Sequence, residues 1–465
     1  MPNAAELIRP DCVLIDFAGR RIEPAEIQNR KHFLKQQIHT AFAGDTVGRT
    51  VFIDTNLFEW VVPSILALWE MGCSIFVHDL NSAFTRIPEF AGFYDFIDTA
   101  IIDVDNFDKF NITVPLIDLR QYQNINYTFD RHVDVPENTI AVKTHTSGTT
   151  GAPKIIDFDH RYVIDRTVSI TPFHGYDGTD KPFHFKTFHH GALFLDYALP
   201  LLYAAQEHYF LPTMRYLSGK TYNARDFLNL VMPYIQQHQL TAMIMPYEWI
   251  NYFDQAAPID TGGRLSIRTL RGYDARIARW IFDNIRPKNI VNQFGCSELG
   301  TMFVSRVTKD NVADYDAKRF HERAPDVEFV FESNLVHARR TGYEWYTLAD
   351  SFVDTGDELY YNGRSYNFVV DGETVVIQDL ENYLRTQYHP TQFQLVPDFL
   401  TSKLYLALFD ASLDTDLTVV NNGIAASVSP KHCVTDARYF HLPDVQTGIK
   451  PSGQILLYAF TKDQK

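Results

Sequence analysis

Short β-branched and apolar runs alternate with longer amphipathic ones through most of the chain. Arg49–Thr55 (RTVFIDT) reads as a strand and Val61–Gly72 (VVPSILALWEMG) as a helix, with Pro63 where a first turn tolerates it and Gly72 as a stop. Cys73–Asp79 (CSIFVHD) returns to strand. Such a strand–helix–strand unit predicts a parallel pair. Asp98–Asp105 and Asn138–His145 read as further buried strands. Asn223–Leu240 reads as an amphipathic helix followed by the strand TAMIMP, and Asp274–Pro287 as a helix followed by the strand Lys288–Gly295. The rhythm predicts α/β architecture to about residue 360.

The tail has a different rhythm. NFVVDGETVVIQDLENYLRTQ reads as strand, glycine turn, strand and helix, and Ser402–Asp410 (SKLYLALFD) alternates with period two, as a half-exposed strand does. A small α+β domain of about 100 residues is a plausible independent size. The boundary is expected near Tyr360–Asn367, giving domains of 1–363 and 364–465.

A chain of 465 residues exceeds one ordinary core and predicts about two to three domains. Its 45% hydrophobic and 21% charged residues are those of a globular protein, and its 14% aromatics exclude wholesale disorder. The formal charge of −15, with no basic run to override it, argues against nucleic acid or anionic lipid as a partner. Cys12, Cys73, Cys296 and Cys433 lie far apart, which argues against a zinc site or disulfide framework and suits a reducing compartment. No signal-peptide core opens the chain and no apolar run is long enough to span a bilayer, so a cytoplasmic protein is expected.

Candidate chemistry concentrates in KTHTSGTTGAPKII, Lys143–Ile156. Gly148 and Gly151 let backbone N–H groups converge on an anion, Thr146, Ser147, Thr149 and Thr150 add hydroxyls, and Lys154 adds charge. Phosphate binding fits; so does a surface hairpin, since these residue types crowd ordinary loops. A nucleotide-kinase loop opens directly into a helix. Here strand signals flank the run on both sides, which excludes that class.

The order Thr146-Ser-Gly-Thr-Thr-Gly-Ala-Pro-Lys154 resembles the signature loop of the acyl-adenylate-forming superfamily, which includes acyl- and aryl-CoA ligases, peptide-synthetase adenylation domains and firefly luciferases. Further segments follow in the order that family has. FHHGALFLDYALPLL, from Phe188, resembles the luciferase and aryl-CoA-ligase segment, so His189 would lie beside the substrate carboxylate. Asn292–Gly300 (NQFGCSELG) resembles the motif in which Phe294 would stack on adenine, Ser297 would bond the α-phosphate and Glu298 would hold Mg²⁺, a hard cation that takes oxygen ligands. Read locally, the same residues could be a strand and a helix start capped by Ser297. Gly272 matches a pocket-lining glycine loosely. VDTGDEL matches the motif whose carboxylate, here Asp357, would accept from the ribose hydroxyls. In GRSYN, Arg364 would reach the ribose or phosphates; Tyr366 stands where the family has an Asp or Lys pivot. The resemblance implies a large N-terminal domain of parallel-sheet α/β subdomains and a small mobile C-terminal α+β domain.

One departure matters. The family ends on a lysine that swings in during adenylation, and here IKPSGQILL puts Gln454 in its place. An amide is neutral, and losing one such electrostatic contact costs about 10² to 10³ in rate. Lys450 lies four residues upstream, roughly 13 Å of extended chain. The resemblance therefore implies carboxylate activation by Mg·ATP and acyl transfer to coenzyme A, a phosphopantetheine carrier on a separate chain, or an amine. The alternatives are a degenerate member confined to acyl transfer and a non-catalytic nucleotide or adenylate binder. His189, and the lack of an ammonium-binding Asp counterpart, favour an aryl or aliphatic acid over an α-amino acid.

Overall fold

The computed structural model describes every residue except 1–2, 55–56, 79–91, 93, 103–112, 146–153, 185–187, 189, 211–223, 246–259, 270–274, 333–334, 349, 357, 365–366, 371–372, 377–378, 382, 385–392, 399–402, 410–416, 428–433, 441–445, 448–449, 452–455, 457–458 and 462–465. The chain divides into two compact units: residues 1–145, 155–317 and 322–325, and residues 146–154, 318–321 and 326–465.

The first unit begins with β1 (Val13–Ile15), β2 (Arg21–Ile22), α1 (Pro24–Ala41), β3 (Thr50–Asp54), α2 (Phe58–Glu70), β4 (Ser74–Phe76), β5 (Thr99–Ile102), β6 (Leu116–Asp118), β7 (Ile140–His145), β8 (Ile155–Asp159) and α3 (His160–His174). Strands β3 to β8 form one sheet in the order β6-β5-β3-β4-β7-β8. Its pairs are parallel except the last, where β7 and β8 run antiparallel with His145 opposite Ile155. The expected strand–helix–strand unit is β3, α2 and β4. Helix α2 starts five residues before Pro63 and is buried on every side from Phe58 to Trp69, as a helix apolar all round must be. Glu59 inside it meets Arg20 at 3.0 Å, and Glu70 at its end takes Lys31 and Lys35 of α1 at 2.8 and 2.9 Å.

The second sheet draws on β9 (Pro182–His184), β10 (Glu207–Phe210), β11 (Ala242–Ile244), β12 (Ser266–Thr269), β13 (Asn289–Cys296), β14 (Gly300–Val307) and, past a two-residue strand β15 (Arg319–Phe320), β16 (Glu322–Arg323). The order is β16-β14-β13-β12-β11-β9-β10-β1-β2. The centre, β13 through β1, is parallel, and antiparallel strands close both edges. Between β9 and β10 run α4 (Gly191–Leu193), a π-helical turn (Phe194–Ala198) and α5 (Leu199–Ala204). Helices α6 (Ala224–His238) and α7 (Ala275–Asn284) supply the expected crossovers. Val231, Ile235, Ile277 and Ile281 from these helices pack with Met243, Ile267 and Ile290 of the sheet in one core. The α/β rhythm stops near Gly300 rather than near residue 360, because from Gly300 to Val376 strand follows strand with no described α-helix between them.

The second unit holds β15, β17 (Val327–Glu332), β18 (Leu335–Arg340), β19 (Tyr346–Leu348), β20 (Asp350–Asp354) and β21 (Leu359–Arg364), then the expected hairpin of β22 (Asn367–Val370) and β23 (Glu373–Val376). Strand β24 (Phe393–Asp398) precedes β25 (Lys403–Leu408), followed by α8 (Leu417–Ser427) and β26 (Asp436–Tyr439). Strand β25 is not half-exposed: Leu404 to Leu408 are all buried. It is the central strand of β24-β25-β26. Leu404, Leu406 and Leu408 join a core with Leu380, Leu384 and Ile424, while Tyr405 stacks on Phe460.

Candidate active site

Ligand sites in open α/β sheets lie beyond the carboxyl ends of the strands, and the segments that follow β7 and β13 leave from such ends. Strand β13 ends at Cys296, and a three-residue turn, Ser297-Glu298-Leu299, returns the chain into β14 at Gly300. This is a hairpin, not a helix start capped by Ser297. Phe294, Ser297 and Glu298 are thereby brought together on one turn, all half-buried. Phe294 lies 6.2 Å from Phe303 across the ladder.

The two glycines of this motif each have a steric reason. A Cβ on Gly295 would stand 2.2 Å from the Gly300 carbonyl oxygen. Gly300 has φ +73°, and a Cβ there would stand 2.2 Å from Arg166 Nη2. Helix α3 therefore presses directly against the turn, and the Tyr162 hydroxyl donates to the Glu298 carbonyl at 2.8 Å. Among the described residues the Glu298 carboxylate takes no hydrogen bond or ion pair. A half-buried carboxylate in that condition fits a hard divalent cation such as Mg²⁺. No cluster of three or more His, Cys, Asp or Glu among the described residues forms a metal site.

Charged residues that sequence reasoning passed over lie beneath this turn. Arg166 is fully buried. Its Nε donates to Asp196 Oδ1 at 2.8 Å, and its Nη2 lies 2.7 Å from the same oxygen. Burial works against the Arg166 charge, but Asp196 outweighs it, and the guanidinium is held above its ordinary value. Asp196 belongs to the π-helical turn, a feature that recurs at functional sites. The available signal was a lone aspartate inside the apolar run GALFLDYALPLL.

The glycine- and hydroxyl-rich run spans the β7–β8 hairpin, so both flanks are strands as expected. Thr146, Ser147, Gly148, Thr149, Thr150 and Gly151 lie outside the described residues; Lys154, the last residue before β8, is exposed. At the carboxyl ends of the neighbouring strands β4 and β7, His78 Nδ1 and His145 Nε2 are 2.8 Å apart, and His78 Nε2 is 2.9 Å from the Tyr94 hydroxyl. His189, Gly272, Asp357 and Gln454 lie outside the described residues. In the second unit, the turn carrying position 357 joins β20 to β21. Gly356 has φ +91° and donates to Asp354 Oδ1 at 2.9 Å, and Thr355 N–H and Oγ1 both donate to the Glu358 carbonyl at 3.0 Å. Arg364 ends β21 opposite Asp350.

A family model described as AMP-binding enzyme matches residues 70–321, which contain the β7–β8 loop and the β13–β14 turn. No curated protein gives a significant sequence match. Solved structures match along the whole chain. McyG A-PCP complexed with phenylalanyl-adenylate aligns with a TM-score of 0.73 and 13% identity over 100% of this chain and 83% of that one. ATP-bound MatB from Rhodopseudomonas palustris aligns with 0.70 and 15% over 100% of both. The O-succinylbenzoate coenzyme A synthetase MenE from Bacillus subtilis, in complex with ATP and magnesium ion, aligns with 0.69 and 12% over 98% of this chain and 99% of that one. At these identities the likeness is one of fold. No described helix is long and apolar enough to cross a membrane.

Proposed function

The chain belongs to the AMP-binding enzyme family, and from that premise we propose that it activates a carboxylic acid with Mg·ATP and hands the acyl group to a thiol or amine. The carboxylate oxygen attacks the α-phosphorus, the bond to the bridging oxygen breaks, and pyrophosphate leaves with that electron pair. The acceptor then attacks the acyl carbon and AMP departs. Protein groups contribute mainly positioning and charge stabilisation. Lys154 and the Thr146–Gly151 backbone hold the leaving pyrophosphate. Phe294 stacks on adenine, Ser297 bonds the α-phosphate, and Glu298 carries Mg²⁺, which neutralises phosphate charge when bound. Asp357 and Arg364 take the ribose, Gly272 borders the pocket and His189 lies beside the carboxylate. The lid is proposed to begin at residue 364, inside the second compact unit. An aryl or aliphatic acid is the proposed substrate, with coenzyme A or a phosphopantetheine carrier as acceptor.

The observation that carries this reading is the β13–β14 hairpin, which holds Phe294 and Ser297 close to a Glu298 carboxylate that takes no hydrogen bond or ion pair among the described residues. The test is AMP and pyrophosphate release from Mg·ATP over a panel of aryl, aliphatic and amino acids. Glu298→Ala is expected to lower the rate about 10²-fold or more; unaltered turnover in that variant sinks the proposal.

Gln454 favours a second, narrower reading: adenylation is crippled and the chain transfers the acyl group of a ready-made adenylate, or only binds it. Gln454→Lys then raises pyrophosphate release by about 10² to 10³. A wild type that already matches the variant rules this reading out.

A further inference from the structure

We propose that Asp196, seated on the buried Arg166, is a positioning residue that sets the Ser297–Glu298 turn for the reaction through its hold on Thr301. The inference rests on the function proposed above. Asp196 divides its carboxylate. Oδ1 faces the Arg166 guanidinium, at 2.8 Å from Nε and 2.7 Å from Nη2. Oδ2 accepts from the Thr301 backbone N–H at 2.8 Å and from the Thr301 hydroxyl at 3.0 Å. One residue therefore joins a charge on α3 to the first residues of β14, immediately after the turn. Arg166 Nη2 fills the space that a side chain at Gly300 would need, so the same guanidinium forms the floor of the turn. The Tyr162 hydroxyl holds the Glu298 carbonyl from the preceding turn of the same helix, four residues earlier. Arg268 Nη1, 3.2 Å from the Asp196 carbonyl oxygen, fixes the π-helical turn from below. The result is a hairpin tip tied at Glu298, Gly300 and Thr301 to elements that are themselves buried.

Stability is a poor reason for this arrangement. Desolvating two charges offsets most of their attraction, and well-packed apolar replacements of buried pairs are often neutral or stabilising. A pair that contributes little to stability but fixes one conformation beside a metal-binding carboxylate is suited to pre-organisation. Positional error of about 1 Å at such a site costs about 10²-fold in rate.

Two charge-free double variants separate the roles. Arg166→Met/Asp196→Asn removes the ion pair but keeps an oxygen acceptor for Thr301. Arg166→Met/Asp196→Leu removes both. Expected for the leucine variant are a thermal midpoint somewhat below that of the asparagine variant, since the buried Thr301 donors lose their acceptor, a kcat for pyrophosphate release lower by about 10- to 100-fold with little change in KM for ATP, and faster hydrogen exchange at residues 297–301. The asparagine variant is expected to recover most of the rate and the protection. Equal rates and equal exchange in the two doubles overturn the proposal, as does a leucine variant whose loss lies wholly in thermal stability. A wild type inactive with every acid defeats the functional reading instead. The exchange comparison then decides alone, since it needs no substrate: faster exchange in the leucine variant upholds the positioning role, and equal exchange refutes it.

Discussion

Replacing His160 with asparagine should flatten the acid side of the stability profile. His160 is fully buried and its Nδ1 accepts the Ala4 backbone N–H at 3.0 Å. The neutral ring must therefore carry its proton on Nε2, which is buried beside Trp69 with no hydrogen-bond partner among the described residues. Protonating Nδ1 would set two donors against each other in an apolar site, and burial accordingly lowers the imidazole from 6.5 to about 4. The folded state resists the proton and the unfolded state takes it. The stabilisation is thus complete above the unfolded value and is lost as pH falls from about 6.5 towards 4. The full difference corresponds to about 3 kcal/mol, of which about 2 kcal/mol falls between roughly pH 7 and pH 5. Asparagine can offer Oδ1 to Ala4 without titrating. Urea unfolding of both proteins across that interval should show the wild type losing about 2 kcal/mol more than His160→Asn. Other buried histidines, His184 and His208 among them, contribute equally to both curves. Parallel curves, or His160 ring resonances titrating near the ordinary value, would refute the reasoning.

Two further substitutions test other parts of the architecture. Gly300→Ala forces a left-handed φ on a residue whose Cβ overlaps a buried guanidinium; a loss above about 2 kcal/mol is expected in thermal or urea unfolding, and a variant as stable as wild type would show that Arg166 does not occupy that space. Glu70→Gln leaves Lys31 and Lys35, each about nine-tenths buried, facing a neutral amide, and should cost about 2 kcal/mol. Burial pushes the Glu70 carboxyl up, but the two lysines outweigh it and hold it below its usual value. The same measurement on wild type should therefore show this stabilisation present above the usual carboxylate range and lost as pH falls below it.

Local pattern carried much of the fold. The β3–α2–β4 unit, the strands on either side of the glycine-rich run and the α6 and α7 crossovers follow from periodicity, because each buries a face its own sequence defines. What escaped depended on distant partners. A hairpin replaces a helix start at Ser297 because Gly295 and Gly300 let two backbones meet, a close approach invisible along the chain. The alternation in Ser402–Asp410 suggested one wet face, but β25 lies between two strands and is covered on both sides. Within the site, Phe294, Ser297 and Glu298 were legible as a contiguous motif. Arg166 and Asp196 were not, since they stand thirty residues apart and only the tertiary structure pairs them.

The seat of β1 has a consequence for how the molecule is made. Val13–Ile15 pairs with β10, at Glu207–Tyr209, and Arg9 N–H bonds the Leu202 carbonyl. Strand β1 therefore leaves the ribosome with no parallel neighbour until nearly two hundred more residues have been added, roughly 10 to 40 s of synthesis. Over that interval an apolar strand must wait exposed or be shielded by a chaperone, whereas the β3–α2–β4 unit can close on itself as it emerges.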